Sequence, residues 1–256
     1  MTDPRDDLAD LVADVAALLA DSASRGVVFE GPMQPLAPPA KPEPEHGKAW
    51  SSLASNARQR AENTVLRGAD GLRATREDLG DCRRCRLCTQ RQTLVFGVGA
   101  ADADLMVIGE APGRQEDMRG EPFVGPSGQM LDKMLANVIG VPRENTYITN
   151  TVKCRPPNDR NPELDEVEAC HPYLMRQIQA VQPKVILVLG TVAFQILFRT
   201  NAGITRNRGR WRAFEGIPVM PTFHPAYLLR KPENKRLTFE DLKAVRGKYD
   251  ELGGRR

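Results

Sequence analysis

Four short apolar segments, at residues 105–109, 146–149, 185–190 and 218–223, constrain the fold of this chain more than any other feature. Each has the length of a buried β-strand. Helical segments lie between and after them, at residues 127–139, 162–180, 191–197 and 237–252. Strands that alternate with helices predict an α/β fold, in which helices cover both faces of a mainly parallel sheet.

Three of the four predicted strands end in polar or glycine-rich sequence. Gly-Glu-Ala-Pro-Gly at 109–113 ends the first strand, Thr-Asn-Thr-Val-Lys-Cys at 149–154 follows the second, and His-Pro-Ala-Tyr-Leu-Leu-Arg at 224–230 follows the fourth. Parallel sheets bind ligands beyond the carboxyl ends of their strands. We therefore expect these three segments to meet at one edge of the sheet and to form a site there.

Three side chains near these strand ends each have a structural and a functional interpretation. Phe123 lies in a Pro-Phe-Val-Gly loop, where it could plug the core or offer a stacking surface to a base. The amide of Asn150 could read a base edge or cap a turn. His224 ends a strand, which makes it a better functional candidate than the other two histidines, although a lone histidine is more often structural.

Five cysteines indicate a metal or redox centre. The N-terminus is rich in aspartate and predicts neither a signal nor a transit peptide, so we expect a cytoplasmic protein in which disulfides do not form. Cys82 and Cys85 share one tight turn, Cys154 and Cys170 follow farther along the chain, and Cys88 is a fifth candidate. Four thiolates fit zinc and a four-iron cluster equally well, so the spacing leaves the metal open.

Positive charge is concentrated in the part of the chain that carries these motifs. Residues 1–80 contain nine Lys and Arg against 13 Asp and Glu, whereas the remaining residues contain 27 against 20. That distribution suits a polyanionic partner such as nucleic acid. No apolar stretch approaches the roughly 20 residues that a membrane-spanning helix needs, so no membrane association is expected.

Short motifs in this chain occur in the same order and with the same spacing as in family 4 uracil-DNA glycosylases, which the chain resembles from about residue 79 to residue 249. The motifs are Cys82-x2-Cys85, Phe-Gly-Val-Gly at 96–99, Gly-Glu-Ala-Pro-Gly at 109–113, Pro-Phe-Val-Gly at 122–125, Thr-Asn-Thr-Val-Lys-Cys-Arg-Pro-Pro at 149–157, Cys170, and His-Pro-Ala-Tyr-Leu at 224–228. Each motif alone is weak, but their order and spacing together are specific.

The resemblance implies a fold and a cofactor. The fold would be a three-layer α/β/α sandwich around a central four-stranded parallel sheet, with a helical or disordered N-terminal extension. The cofactor would be a structural four-iron four-sulfur (4Fe-4S) cluster, which leaves Cys88 as a non-ligand. Its implied ligands are Cys82, Cys85, Cys154 and Cys170.

The resemblance also implies an activity and assigns roles to residues. The enzyme would flip uracil out of single- or double-stranded DNA and hydrolyse its N-glycosidic bond, leaving an abasic site without lyase activity. The implied roles are catalytic for His224, Glu110 and Glu116, uracil-binding for Ala111, Phe123 and Asn150, and DNA-contacting for Leu228 and Arg230. Ala111 stands where other uracil glycosylases carry a water-activating aspartate, so the general base is left open.

The first 75 residues lie outside the resemblance. Apolar spacing predicts an amphipathic helix over residues 5–21, and a proline-rich stretch at 31–44 predicts an extended linker. We therefore divide the chain into an extension at 1–75, weakly structured outside its helix, and a glycosylase domain at 76–256. The extension could dock on the domain, bind a partner such as the replication clamp, or stay solvated, and we expect a monomer.

Three alternative functions differ in how well they fit this sequence. Relatives that trap uracil-DNA covalently carry a histidine-bearing basic insertion after the second strand motif, whereas residues 153–170 contain no histidine. An electron carrier or a zinc-stabilised DNA-binding module would explain the cysteines and the charge, but not Phe123, Asn150 and His224. A wider base range that includes hypoxanthine is compatible with the sequence.

Overall fold

A computed structural model describes residues 66–255 of the 256-residue chain. The predicted N-terminal helix at residues 5–21 and the proline-rich linker lie outside the described residues. None of the helices between residues 66 and 255 is both long and apolar enough to cross a bilayer.

Six strands and eight α-helices form the described part of the chain. The strands are β1 Val98–Gly99, β2 Leu105–Gly109, β3 Thr146–Asn150, β4 Val185–Leu189, β5 Arg212–Phe214 and β6 Ile217–Thr222. The helices are α1 Gly68–Leu79, α2 Arg114–Arg119, α3 Pro126–Met134, α4 Leu164–Val181, α5 Thr191–Phe198, α6 Ile204–Asn207, α7 Pro225–Arg230 and α8 Lys235–Glu251. A π-helical turn, Leu135–Ile139, extends α3, and 3₁₀ turns lie at Arg86–Thr89, Arg143–Asn145, Pro157–Asp159 and Pro232–Asn234.

The central sheet has the predicted four parallel strands, in the order β3-β2-β4-β6. Every residue of β2, β3 and β4 is buried. Strands covered on both faces lack the alternation of apolar and polar residues that a half-exposed strand shows, which is why they read as continuous apolar runs in the sequence. The prediction of an α/β fold with a four-stranded parallel core is confirmed.

Two short antiparallel strands that have no counterpart among the predicted strands extend the sheet to six. β1 pairs with β3 at one edge and β5 pairs with β6 at the other. At Gly99, with φ +119°, a Cβ atom would lie 1.7 Å from the carbonyl oxygen of Thr146, so only glycine allows β1 to approach β3. Strands of two and three residues are too short to produce an apolar periodicity, which explains why they were missed.

Helices lie on both faces of the sheet. Right-handed crossovers place α3, between β2 and β3, on one face, and place α4 and α5 on the other. Contacts agree with this arrangement, because α8 packs on the π turn that extends α3, whereas α1 packs on α4. Helix α1 spans the predicted domain boundary at residue 75, so a truncation that aims to leave the domain whole should end before Gly68.

Candidate functional site

The site begins where β2 and β3 end side by side. Their register pairs Gly109 with Asn150. A Cβ atom on Gly109 would lie 2.4 Å from Oδ1 of Asn150 and 2.6 Å from Cζ of Phe123. The missing side chain of Gly109 therefore lets the Asn150 amide and the Phe123 ring approach the same point of the backbone.

Asn150 carries an unsatisfied polar atom at this point. Its side chain is buried, and its Oδ1 accepts no hydrogen bond from any described residue. Buried polar atoms are nearly always hydrogen-bonded, so an exception in a site indicates a missing partner. The free acceptor fits a ligand that offers an N–H group.

The loop that carries Phe123 has a strained backbone that neighbouring groups hold in place. Phe123 has φ +54°, a conformation that costs free energy in a residue other than glycine. The backbone N–H groups of Val124 and Gly125 donate to Oε1 of Glu116, over 2.9 and 3.1 Å. Arg143 donates from the other side to the carbonyl oxygens of Pro122 and Phe123. We refer to Glu116 and Arg143 together as the loop clamp.

His224 faces Phe123 across the site. The two ring centroids are 5.6 Å apart, and the ring planes differ by 30°. Nδ1 of His224 accepts the backbone N–H of Ala226 over 3.1 Å, which caps helix α7. In the neutral ring that bond leaves the proton on Nε2. Burial and the charge of Arg230 lower the pKa of His224 to about 4, against the opposing effect of Glu116.

Glu110 directly follows Gly109 and has the opposite pKa shift. Its side chain is half-buried and makes no hydrogen bond or ion pair with the described residues. Burial alone raises the pKa of its carboxyl to about 7. A carboxyl that titrates near neutral pH at a strand end is suited to exchange a proton with, or to orient, a bound water.

The remaining predicted residues differ in their surroundings. Ala111 packs against the small apolar cluster formed by Leu87, Val152, Cys154, Val167 and Ile196. Arg230 is exposed at the end of α7. Leu228, in contrast, is 2% exposed and belongs to the main core. In this conformation Leu228 offers little surface to DNA, so its assignment as a DNA contact stays a prediction, and the neighbouring Leu229, at 43% exposed, is the side chain available at that surface.

The four cysteines named as metal ligands line one cavity. They are Cys82, Cys85, Cys154 and Cys170. Cys88 does not line this cavity. Arg86 joins the turn of Cys82 and Cys85 to the helix of Cys170, because it forms ion pairs with Glu163 and Asp165 at the start of α4.

Cations surround the cavity of the four cysteines. Arg91 donates to Sγ of Cys154 over 3.2 Å, and Arg84 donates to Sγ of Cys82 over 3.5 Å. Burial raises the pKa of the Cys154 thiol to about 11 and that of Cys170 to about 12. A metal centre binds cysteines as thiolates and offsets the cost of burying those charges. Buried thiols among basic side chains therefore suit such a centre.

The geometry of the thiols bears on the kind of metal centre. Zinc ligates sulfur at about 2.3 Å, so the four thiolates of a zinc site crowd around one point. Within residues 66–255, no three His, Cys, Asp or Glu side chains lie close enough together to hold a single ion. No ion-sized arrangement is preformed among these residues, and the shared cavity of the four thiols leaves zinc and a multi-iron cluster open.

Comparisons with known proteins identify the family of the chain. Residues 96–243 match the model of the uracil DNA glycosylase superfamily. The chain is 42% identical to a type-4 uracil-DNA glycosylase of Sulfurisphaera tokodaii, over 69% of this chain and 84% of the relative. The corresponding enzyme of Saccharolobus solfataricus is 40% identical over 69% of this chain and 86% of the relative, and that of Archaeoglobus fulgidus is 42% identical over 66% and 88%.

The chain belongs to the type-4 uracil-DNA glycosylase family. Two functional groups of this family 4 chain were missed in the sequence. Arg143 clamps the Phe123 loop from a 3₁₀ turn with no motif of its own, so no local signal identifies it. Asp117 is buried and accepts the backbone N–H groups of Gln92 and Thr93 through Oδ1, which ties helix α2 to the segment after the first cysteines.

The loop clamp leads to a stability prediction for this glycosylase. Arg143→Met should lower the free energy of unfolding by about 2 kcal/mol, because it leaves two loop carbonyls without their charged donor. Urea denaturation measures the change. Arg119→Met, at an exposed position on α2, is the matched control and should stay within about 0.5 kcal/mol of the unaltered protein. Equal stability of both variants would show that Arg143 does not hold the loop.

Proposed function

We propose that this chain removes uracil from DNA by hydrolysing the N-glycosidic bond. The unpaired Oδ1 of Asn150 beside the ring of Phe123 carries this proposal. Uracil offers an N3–H donor for that acceptor, a flat ring for Phe123 and a carbonyl oxygen, O2, for His224. Family membership supports the same substrate, since the relatives are named uracil-DNA glycosylases.

The substrate base must leave the helix to reach this site. The glycosidic bond of a stacked base is inaccessible, so the deoxyuridine rotates out of the duplex into the pocket. Leu229 is the candidate to fill the space that the base leaves, and Arg230 the candidate to contact a phosphate. The positive charge of the domain supports binding to the DNA backbone.

Bond cleavage places negative charge on the uracil. The electron pair of the C1′–N1 bond moves to the base, which leaves as a uracil anion from an oxocarbenium-like sugar. The neutral His224 ring donates its Nε2–H to the developing charge on O2. A water then bonds to C1′ and loses a proton, and the uracil anion takes up a proton, so the products are free uracil and an abasic site in an intact strand, without lyase chemistry. Glu110 is positioned to orient that water.

Glu116 acts on this chemistry through the loop. Its Oε1 accepts the two backbone N–H groups that follow Phe123, so it positions the proposed stacking ring. Its negative charge also opposes the lowering of the His224 pKa. We therefore assign Glu116 a positioning role and retain His224 and Glu110 as the catalytic pair.

We further propose that Cys82, Cys85, Cys154 and Cys170 bind a 4Fe-4S cluster. The shared cavity and the surrounding cations support this assignment, and Ala111 connects the same region to the uracil-binding loop. The cluster would hold the β2 and β3 loops together without taking part in the reaction.

Three expectations stay predictions: the division of the chain at residue 75, binding of the N-terminal extension to the replication clamp, and a monomeric state.

Replacing His224 distinguishes an enzyme from a DNA-binding module without catalytic activity. His224→Asn should slow uracil release about 100- to 1000-fold, because asparagine still caps α7 but lacks the Nε2 donor. The measurement is release from a single-uracil duplex, with a thymine duplex as the control, beside DNA affinity. Retained affinity with lost turnover supports the enzyme, whereas a wild type that releases no uracil while binding DNA favours the binding module.

The pH dependence of the rate tests Glu110. Since burial raises its pKa to about 7, the ionised fraction of Glu110 grows as pH rises through that value. We expect kcat/KM for uracil release to rise through a pKa of about 7, whereas His224, with a pKa of about 4, is already neutral there. Glu110→Gln should have a lower rate, and its kcat/KM should not rise with pH in this range. If the rise persists in Glu110→Gln, it belongs to another group.

Substitutions of Leu229 and Leu228 test whether Leu229 is the wedge, the side chain that fills the space left by the flipped base. Leu229→Ala should reduce uracil release from duplex DNA more than from single-stranded DNA, because only the duplex loses stacking that a wedge replaces. Its stability should change by less than about 0.5 kcal/mol. Leu228→Ala is the core control and should lower the free energy of unfolding by about 2–5 kcal/mol. Equal loss on both substrates with Leu229→Ala would refute the wedge assignment.

Iron analysis tests the ligand set. Cys154→Ser should lose most of the iron and sulfide of the purified protein, because a hydroxyl is a poor cluster ligand. Cys88→Ser is the matched control and should keep both. Iron loss with Cys88→Ser, or zinc in place of iron in the unaltered protein, would change the assignment.

A further inference from the structure

Lys153 is a buried cation that the proposed reaction does not use. It is 1% exposed, although lysine is almost never fully buried unless it is paired. Among the described residues no Asp or Glu forms an ion pair with it. A buried ammonium without a counter-charge is costly, so its surroundings should contain an anion.

The side-chain ammonium of Lys153 holds the end of strand β3. Nζ donates to the carbonyl oxygen of Asn150 over 2.6 Å and to Oγ1 of Thr149 over 2.7 Å. Asn150 is the residue with the unpaired Oδ1 that would read uracil. The ammonium therefore bonds to the backbone of the very residue that contacts the base.

The same lysine borders the cysteine cavity. It lines that cavity together with Cys154 and Cys170. Thiolates bound to iron would thus supply the anion that the ammonium otherwise lacks.

Lys153 also belongs to a buried network of hydrogen-bonded side chains. Oγ1 of Thr149, which accepts from Lys153, lies 3.2 Å from Oε1 of Gln177. Gln177 donates to the carbonyl oxygen of Phe96 over 2.8 Å and contacts the Tyr147 hydroxyl at 3.0 Å. Every side chain in this network is buried, so Lys153 has little freedom to leave its place.

We propose that Lys153 is the counter-charge of the metal centre and the positioning residue that couples it to uracil recognition by Asn150. The inference rests on the proposed function and on the proposed cluster. Its consequence is that the cluster stabilises the base-reading end of β3 by pairing with the ammonium that holds it. Loss of the cluster would leave a buried charge unpaired next to Asn150.

Two measurements distinguish this role from simple packing. The reduction potential of the cluster reports charge near the sulfurs, because net charge and hydrogen bonds set that potential. The inhibition constant of free uracil reports the Asn150 contact without DNA binding. Lys153→Met, which keeps the length and removes the charge and the donors, should make the potential more negative and weaken uracil inhibition about tenfold.

Matched variants separate the two effects. Thr149→Val keeps the ammonium and removes one of its acceptors, so it should weaken uracil inhibition and leave the potential unchanged. Lys184→Met is the control for the substitution itself, since Lys184 is paired with Asp104 far from the site, and it should change neither quantity. If Lys153→Met does not fold, Lys153→Gln provides the test, because it removes the charge and retains a donor for Asn150.

Failure of the proposed role of Lys153 can be distinguished from failure of the proposed function. An unaltered protein without iron or without uracil release would refute the cluster or the activity. An active, iron-containing protein in which a folded Lys153→Met or Lys153→Gln keeps the original potential and the original uracil inhibition constant would overturn only the role of Lys153. A more negative potential in the charge-removing variant, with weaker uracil inhibition in Lys153→Met or Thr149→Val, supports it.

Discussion

Parallel pairing of the four buried central strands is the constraint on which the site depends. Parallel strands end at one edge of the sheet, so three loops that are far apart in sequence meet there. The register of β2 and β3 then sets Gly109 opposite Asn150. Because Gly109 has no side chain, Asn150 and Phe123 reach the same point. A shift of one residue would turn Asn150 to the other face of the sheet and separate it from Phe123.

Two titratable groups of the site have pKa values shifted in opposite directions, and both shifts favour the uncharged form. Burial is the main cause of both pKa shifts, but it lowers the pKa of His224, whose charged form is the cation, and raises that of Glu110, whose charged form is the anion. His224 is thereby held neutral as a donor, while Glu110 titrates near neutral pH. The strained backbone at Phe123 is maintained by the loop clamp, which fixes the position of the Phe123 ring.

The cysteine cavity and the base-reading edge are neighbours in the fold. Asn150 and Cys154 lie four residues apart on one loop, and Ala111 of the β2 loop packs against the cluster that includes Cys154. A metal centre bound by these cysteines would therefore have a route to influence the proposed reaction without taking part in bond cleavage. The route is mechanical and electrostatic, through loop packing and through buried charge, and needs no electron transfer.

The sequence by itself determined the four parallel strands, the main helices, the cysteines and the candidates Phe123, Asn150 and His224. These features depend on local composition and on the shared edge of a parallel sheet. Only the tertiary structure decided that Leu228 is buried and Leu229 exposed, because a six-residue helix has too little periodicity to define its inner face. Arg143 likewise contacts a loop that is distant in sequence, and the burial of Lys153 depends on the folded chain around it. Neither feature has a local sequence signal.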